Sequence, residues 1–219
     1  MSLTFTASAR RLGIASAVGT ALLTATYTAA LAAGLSSLRS PLQPIGDPWF
    51  SMLEVLILLL MPVVVALMVA VHAWAPAEAK VFSLVALVFA ALLAGLTCSV
   101  HFTILTVGRH AAFAGLAWAP LLLSFTWPSV AYALDILAWD VFFALAALFA
   151  APVFGGSRLA RWIRTLLVVS GALALAGLSG VLVGDMRLRN IGIVGYAGVF
   201  PVAAGLIALL FHRTAPGVR

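Results

Sequence analysis

Polar residues in this chain gather in short clusters, and between the clusters lie six apolar runs, at roughly 12–35, 49–73, 81–106, 129–151, 162–183 and 191–211. Each run reaches the length of about 20 apolar residues that an α-helix needs to cross a hydrocarbon core. The intervening segments carry the breakers: Pro41, Pro44 and Pro48, then Pro76, then Gly155 and Gly156, then Gly184. The pattern predicts an all-α, polytopic bundle of six transmembrane helices, forming a single integral membrane domain over 1–219. Arg10 and Arg11 precede the first run, which is too long for the apolar region of a signal peptide and reads as a span.

A further apolar segment, 111–127, separates the third and fourth runs, with Pro120 inside it and Trp118 and Trp127 towards its end. Charge decides how to place it. With the N-terminus inside and six spans, the inner face holds Arg10, Arg11, Lys80, Arg158, Arg161, Arg164, Arg213 and Arg219. The outer face then holds only Arg39, Arg109, Arg187 and Arg189. That excess fits the positive-inside rule with both termini inside. The alternative, seven helices, would put the cluster Arg158, Arg161 and Arg164 outside. The segment 111–127 is therefore expected as an interfacial or re-entrant element at the outer face, covered by protein wherever it enters the membrane.

Composition agrees with this placement. The 219 residues are 64% hydrophobic and 8% charged, and mean hydropathy is +1.20. Soluble domains run nearer about 45–50% apolar and about 25% charged. The net charge of +6 resides almost entirely in arginines that flank apolar runs. Topology accounts for them, so the expected partner is the lipid bilayer and no nucleic acid is expected. Size and an Ala/Arg-rich, Lys-poor composition point to a bacterial inner membrane. Cys98 is the only cysteine, which excludes an internal disulfide and any Cys-rich metal motif.

A weak internal repeat accompanies the threading. Ala33-Gly34-Leu35-Ser36, Ala94-Gly95-Leu96-Thr97 and Ala176-Gly177-Leu178-Ser179 fall in the first, third and fifth spans, all near their outer ends. Leu53-Glu54 and Leu134-Asp135 open the second and fourth spans, and Tyr196 lies in the corresponding part of the sixth. Three repeated helical hairpins are one explanation; the abundance of small residues in membrane helices is the other.

The chemistry-bearing residues are the few ionisable groups inside the spans: Glu54, His101, Asp135 and Asp140. A charge in hydrocarbon is costly, so such groups mark functional sites by default. With a rise of 1.5 Å per residue, Glu54 lies about 8 Å into the second span and His101 about 8 Å before the end of the third. Asp135 lies about 10 Å into the fourth, with Asp140 nearer mid-membrane. The four are expected to form the ionisable core of an outer-half site. Thr97 and Trp139 share helix faces with His101 and Asp135. Thr97, Trp139, Tyr196 and the rim residues Arg109 and Arg187 are expected as lining. Asp185, Arg187 and Arg189 are expected in a solvated loop, with Arg187 the one placed to hold an anion or carboxylate.

Asn190 and Gln43 are the only side-chain amides. Walls so poor in hydrogen-bonding groups argue against large polar cargo and favour a small lipophilic substrate, bound and transformed by acid–base chemistry. The alternatives are a proton- or ion-coupled transporter built on the same residues, and a structural subunit whose buried acids meet a partner's helices. No metal is expected, since no two ligands stand at metal spacing on one helix, and no cofactor is indicated. The lone Lys80 falls in a predicted loop, which disfavours a retinal Schiff base, and no phosphate loop, nucleophile elbow or potassium filter occurs. Oligomeric state leaves no mark in the sequence.

Overall fold

A computed structural model describes residues 5–40 and 43–217. Pro41 and Arg219, used above as a breaker and as an inner-face charge, lie outside the described residues. Helices α1 (Ala7–Ser36), α2 (Trp49–Trp74), α3 (Ala77–Arg109), α4 (Ala119–Leu123), α5 (Val130–Val153), α6 (Arg158–Val183) and α7 (Met186–Arg213) follow in order, with no strand among the described residues. All except α4 are long and apolar enough to cross a membrane. The helix α4 has five residues, about 8 Å at 1.5 Å per residue, and cannot span. The seven-helix alternative therefore does not form, and 111–127 folds as short turns and α4.

Local chemistry sets the helix ends. Thr6 Oγ1 accepts from the Ala9 amide at 3.1 Å, so α1 starts a turn earlier than hydropathy alone implies. Ser129 and Ser157 cap α5 and α6 in the same way, accepting from Tyr132 and Ala160 at 3.1 Å each. Large apolar side chains point outward, among them Leu59, Val81 and Leu182; lipid tails are the solvent that removes their penalty.

Successive long helices pack against one another, and α1 also packs against α7, closing the bundle. The helix α6 comes close to both of its neighbours. A Cβ on Gly195 would lie 2.6 Å from the Ser170 carbonyl oxygen, and one on Gly171 would lie 2.9 Å from the Ala144 carbonyl oxygen. Ser170 Oγ donates to the Gly195 carbonyl at 2.8 Å. Close backbone approach through small residues is how helices associate where lipid offers no hydrophobic drive.

The two halves of the bundle differ. At the end assigned to the inside, Phe5, Trp74, Phe154 and Phe211 form a solid aromatic plug, with ring centroids 5.2 to 6.0 Å apart. At the outer end the helices splay around an open volume. The three expected hairpins pack as neighbours, but their matched glycines have unlike surroundings. A Cβ on Gly34 would meet Ile45 and Trp49, one on Gly177 would meet Gly192, and one on Gly95 would meet nothing within 4 Å.

Candidate functional site

The outer volume is a cavity of about 740 Å³. Its walls come from α1, α2, α3, α5 and α7, and its mouth from Gln43, Pro44, Ile45, Arg109 and the stretch Leu123–Trp127. The segment 111–127 thus ends as a partial cover over the cavity. The cavity reaches down to Val64 on α2, ten residues or about 15 Å below Glu54. Its upper part is polar, with Glu54, His101, Asp135 and Arg189; its lower part is apolar, with Ile57, Leu60, Leu93, Phe143 and Phe200. All three tyrosines of the chain, Tyr27, Tyr132 and Tyr196, are in the wall.

The polar side chains form one connected row across four helices. His101 Nδ1 lies 2.8 Å from Glu54 Oε2, joining α3 to α2. His101 Nε2 lies 3.5 Å from Asp135 Oδ1 on α5, an ion-pair contact when the ring is protonated, and it is buried without a hydrogen-bond partner. The Arg189 Nη2 group donates to Asp135 Oδ2 at 2.7 Å, and its Nε donates to Asp140 Oδ2 at 3.2 Å. Its guanidinium carbon also sits 4.6 Å from the centre of the Tyr132 ring. Glu54, His101, Asp135, Asp140 and Arg189 are all buried. The row is therefore Glu54, His101, Asp135, Arg189, Asp140. Three carboxylates face one guanidinium, so with all three ionised two negative charges are unbalanced when the imidazole is neutral and one when it is protonated.

Arg189 corrects the sequence reading. It was expected in a solvated loop with Arg187, but only Arg187 and Asp185 are exposed there. The turn Met186–Arg189 starts with Asp185 Oδ1 accepting from the Arg187 amide at 3.0 Å. It directs Arg189 inward, while Arg187 stays outside the cavity wall. A signal was present: Arg189 lies three residues before Gly192 and seven before Tyr196, which places all three on one helix face.

The remaining candidates divide. Trp139 and Tyr196 line the cavity, with ring centroids 4.9 Å apart. Arg109 lies at the mouth, where it pairs with Asp47, donates to Ser51 Oγ at 2.6 Å and stacks 5.5 Å from the Phe50 ring centre. Asp140 is fully buried behind the cavity wall, and its Oδ1 has no hydrogen-bond partner. Thr97 is also fully buried, with an unpartnered hydroxyl, and does not reach the wall.

Trp139 and Asp140 lie in a π-helical stretch, Leu137–Phe143, and Tyr196 lies in another, Val194–Val199. Such wide turns recur at functional sites because they re-aim side chains that an α-helix would hold apart. In α7 the wide register ends just before Pro201, which has no N–H to continue an α-helical ladder.

No group of three or more His, Cys, Asp or Glu suited to a metal ion occurs among the described residues. Comparison with protein-family models, with curated proteins and with solved structures gives no match.

Proposed function

We propose that this multi-pass membrane protein binds a small lipophilic molecule that carries one polar end. The polar end lies among Glu54, His101, Asp135 and Arg189, and the apolar body lies between the lower parts of α2, α5 and α7. The observation that carries this reading is the two-part wall of the 740 Å³ cavity. Its volume falls in the range of about 300–1,000 Å³ typical of small-molecule pockets, which are likewise mostly apolar with a few convergent polar groups.

Acid–base chemistry on the bound molecule belongs to the same proposal. The imidazole of His101 lies between two carboxylates, 2.8 Å from one and 3.5 Å from the other. A proton exchanged with the ligand at Glu54 or His101 has a second acceptor within a small movement of the ring. Conduction is the competing use of these residues. The aromatic plug below the cavity and the permanent charge of Arg189 within the row favour a closed pocket. Placement in a bacterial inner membrane completes the proposal and rests on composition.

Native mass spectrometry of protein extracted with its surrounding lipid tests the binding reading. A lipophilic molecule is expected to co-purify with the wild type and to be lost from Asp135→Asn. Wild-type protein free of any bound molecule, together with a proton flux in liposomes that Asp140→Asn abolishes, would replace pocket with pathway.

A further inference from the structure

We infer that the polar end of the ligand is cationic, and that the outer cavity takes a lipophilic monocation such as a protonated amine or a quaternary ammonium. This inference rests on the proposed binding function and specifies its ligand class. Both guanidiniums near the cavity are already committed: Arg189 to Asp135 and Asp140, and Arg109 to Asp47. Neither is left to attract an anion. Glu54 has no arginine, only the imidazole of His101 on Oε2. With all three carboxylates ionised, one guanidinium leaves the row short of positive charge, whichever state His101 adopts. A cation beside Glu54 supplies that charge, whereas an anion would add to the excess and a neutral group would leave it standing.

Two further observations point to a ligand in this place. His101 is only 5% exposed, lines the cavity, and has an Nε2 without a hydrogen-bond partner. A protonated amine, which has an N–H to donate, can return the free energy that an unpaired buried nitrogen costs. The cavity wall also contains Tyr27, Tyr196 and Trp139, and the Phe125 ring lies 4.9 Å from that of His101. Aromatic rings attract alkylammonium groups most strongly where water is excluded. Within this site a cation already uses such a ring, since the Arg189 guanidinium sits over Tyr132. Carboxylate and aromatic walls together suit a cation with alkyl substituents better than a metal ion, which demands several oxygen ligands at once.

The test uses wild-type protein in nanodiscs of neutral phosphatidylcholine, so that the bilayer does not itself sort ligands by charge. Binding of decyltrimethylammonium, decanol and decyl sulfate is measured by equilibrium dialysis below their micellar concentrations, against empty nanodiscs. The cation is expected to bind roughly tenfold more tightly than the alcohol, the effect of one desolvated cation–aromatic or carboxylate contact. Decyl sulfate is expected to match empty nanodiscs. In Glu54→Gln the preference for cation over alcohol is expected to shrink towards none. Alcohol or sulfate bound as tightly as the cation overturns the charge preference but leaves the binding function standing. A preference that survives in Glu54→Gln overturns the role given to that carboxylate. Failure of all three probes to exceed empty nanodiscs overturns the binding function itself.

Discussion

Gly192 on α7 stands where any side chain would strike Asp140 on α5: a Cβ built there lies 2.8 Å from Asp140 Oδ1. The same glycine is pressed from behind, since a Cβ on Gly177 of α6 would lie 3.2 Å from the Gly192 Cα. Three helices therefore meet at one residue without a side chain, and the buried carboxylate fills the room it leaves. Gly192→Ala is expected to destabilise the protein by about 1–3 kcal/mol, the usual cost of overpacking a fixed interior. Gly205→Ala is the control, because nothing lies within 4 Å of its new Cβ; it should be neutral or stabilising by about 0.5–1 kcal/mol through helix propensity. Thermal unfolding of both variants in one detergent decides the matter, and equal melting would remove the packing role of Gly192.

Arg189 joins α7 to α5 through two carboxylates, with side chains that are almost wholly buried. Removing one partner of a buried ion pair strands the others, at a cost of about 3–5 kcal/mol. Arg189→Met is expected to lose that much stability. Arg189→Lys should be intermediate, because an ammonium is a point charge and cannot span two carboxylates as a planar fork does. Adding Asp135→Asn and Asp140→Asn to Arg189→Met should restore much of the loss, since neither α5 side chain then carries a stranded charge. Chemical denaturation of the four proteins measures this. An Arg189→Met variant as stable as the wild type would mean that water, not Arg189, solvates the aspartates.

The six spans were legible because apolar length is a one-dimensional property, and the six long helices begin and end within five residues of the hydropathy limits, with α1 and α7 each starting five residues early. The approach of Glu54, His101 and Asp135 was legible as well, because a rise of 1.5 Å per residue converts position into depth. What stayed hidden was orientation about the helix axis. Arg189 and Arg187 are two positions apart and equally polar, yet the first turn of α7 points one inward and the other outward. The π-helical stretches at Leu137–Phe143 and Val194–Val199 shift register in a way that no hydropathy pattern records. Asp47 escaped notice because the proline-rich loop around it has no periodicity from which to read its pairing with Arg109.

Filling the cavity should separate ligand binding from stability. Ile57 lies in the apolar part of the wall, one turn below Glu54. Ile57→Trp enlarges a buried side chain that borders the cavity, so the destabilisation should be about 1–3 kcal/mol, the range for added volume. The co-purifying lipophilic molecule should nevertheless be lost. A variant that melts like the wild type and still carries its ligand would show that the ligand binds elsewhere.

Threading makes the last prediction, and the single cysteine makes it easy to test. With both termini inside, the segment 111–127 is outside and the Gly155–Gly156 turn is inside. Ala114 is exposed on the outer segment. A Cβ on Gly155 would meet nothing within 4 Å, so a side chain fits there without strain. In a Cys98→Ser background, Ala114→Cys should react in intact cells with a maleimide that cannot cross the membrane. Gly155→Cys should react only after the cells are opened. If 111–127 were a seventh span, the chain after it would be inverted and Gly155→Cys would label from outside. The arginines decide between these outcomes on physical grounds: Arg158, Arg161 and Arg164 all lie at the start of α6. Their placement outside would invert the strongest charge bias in the chain.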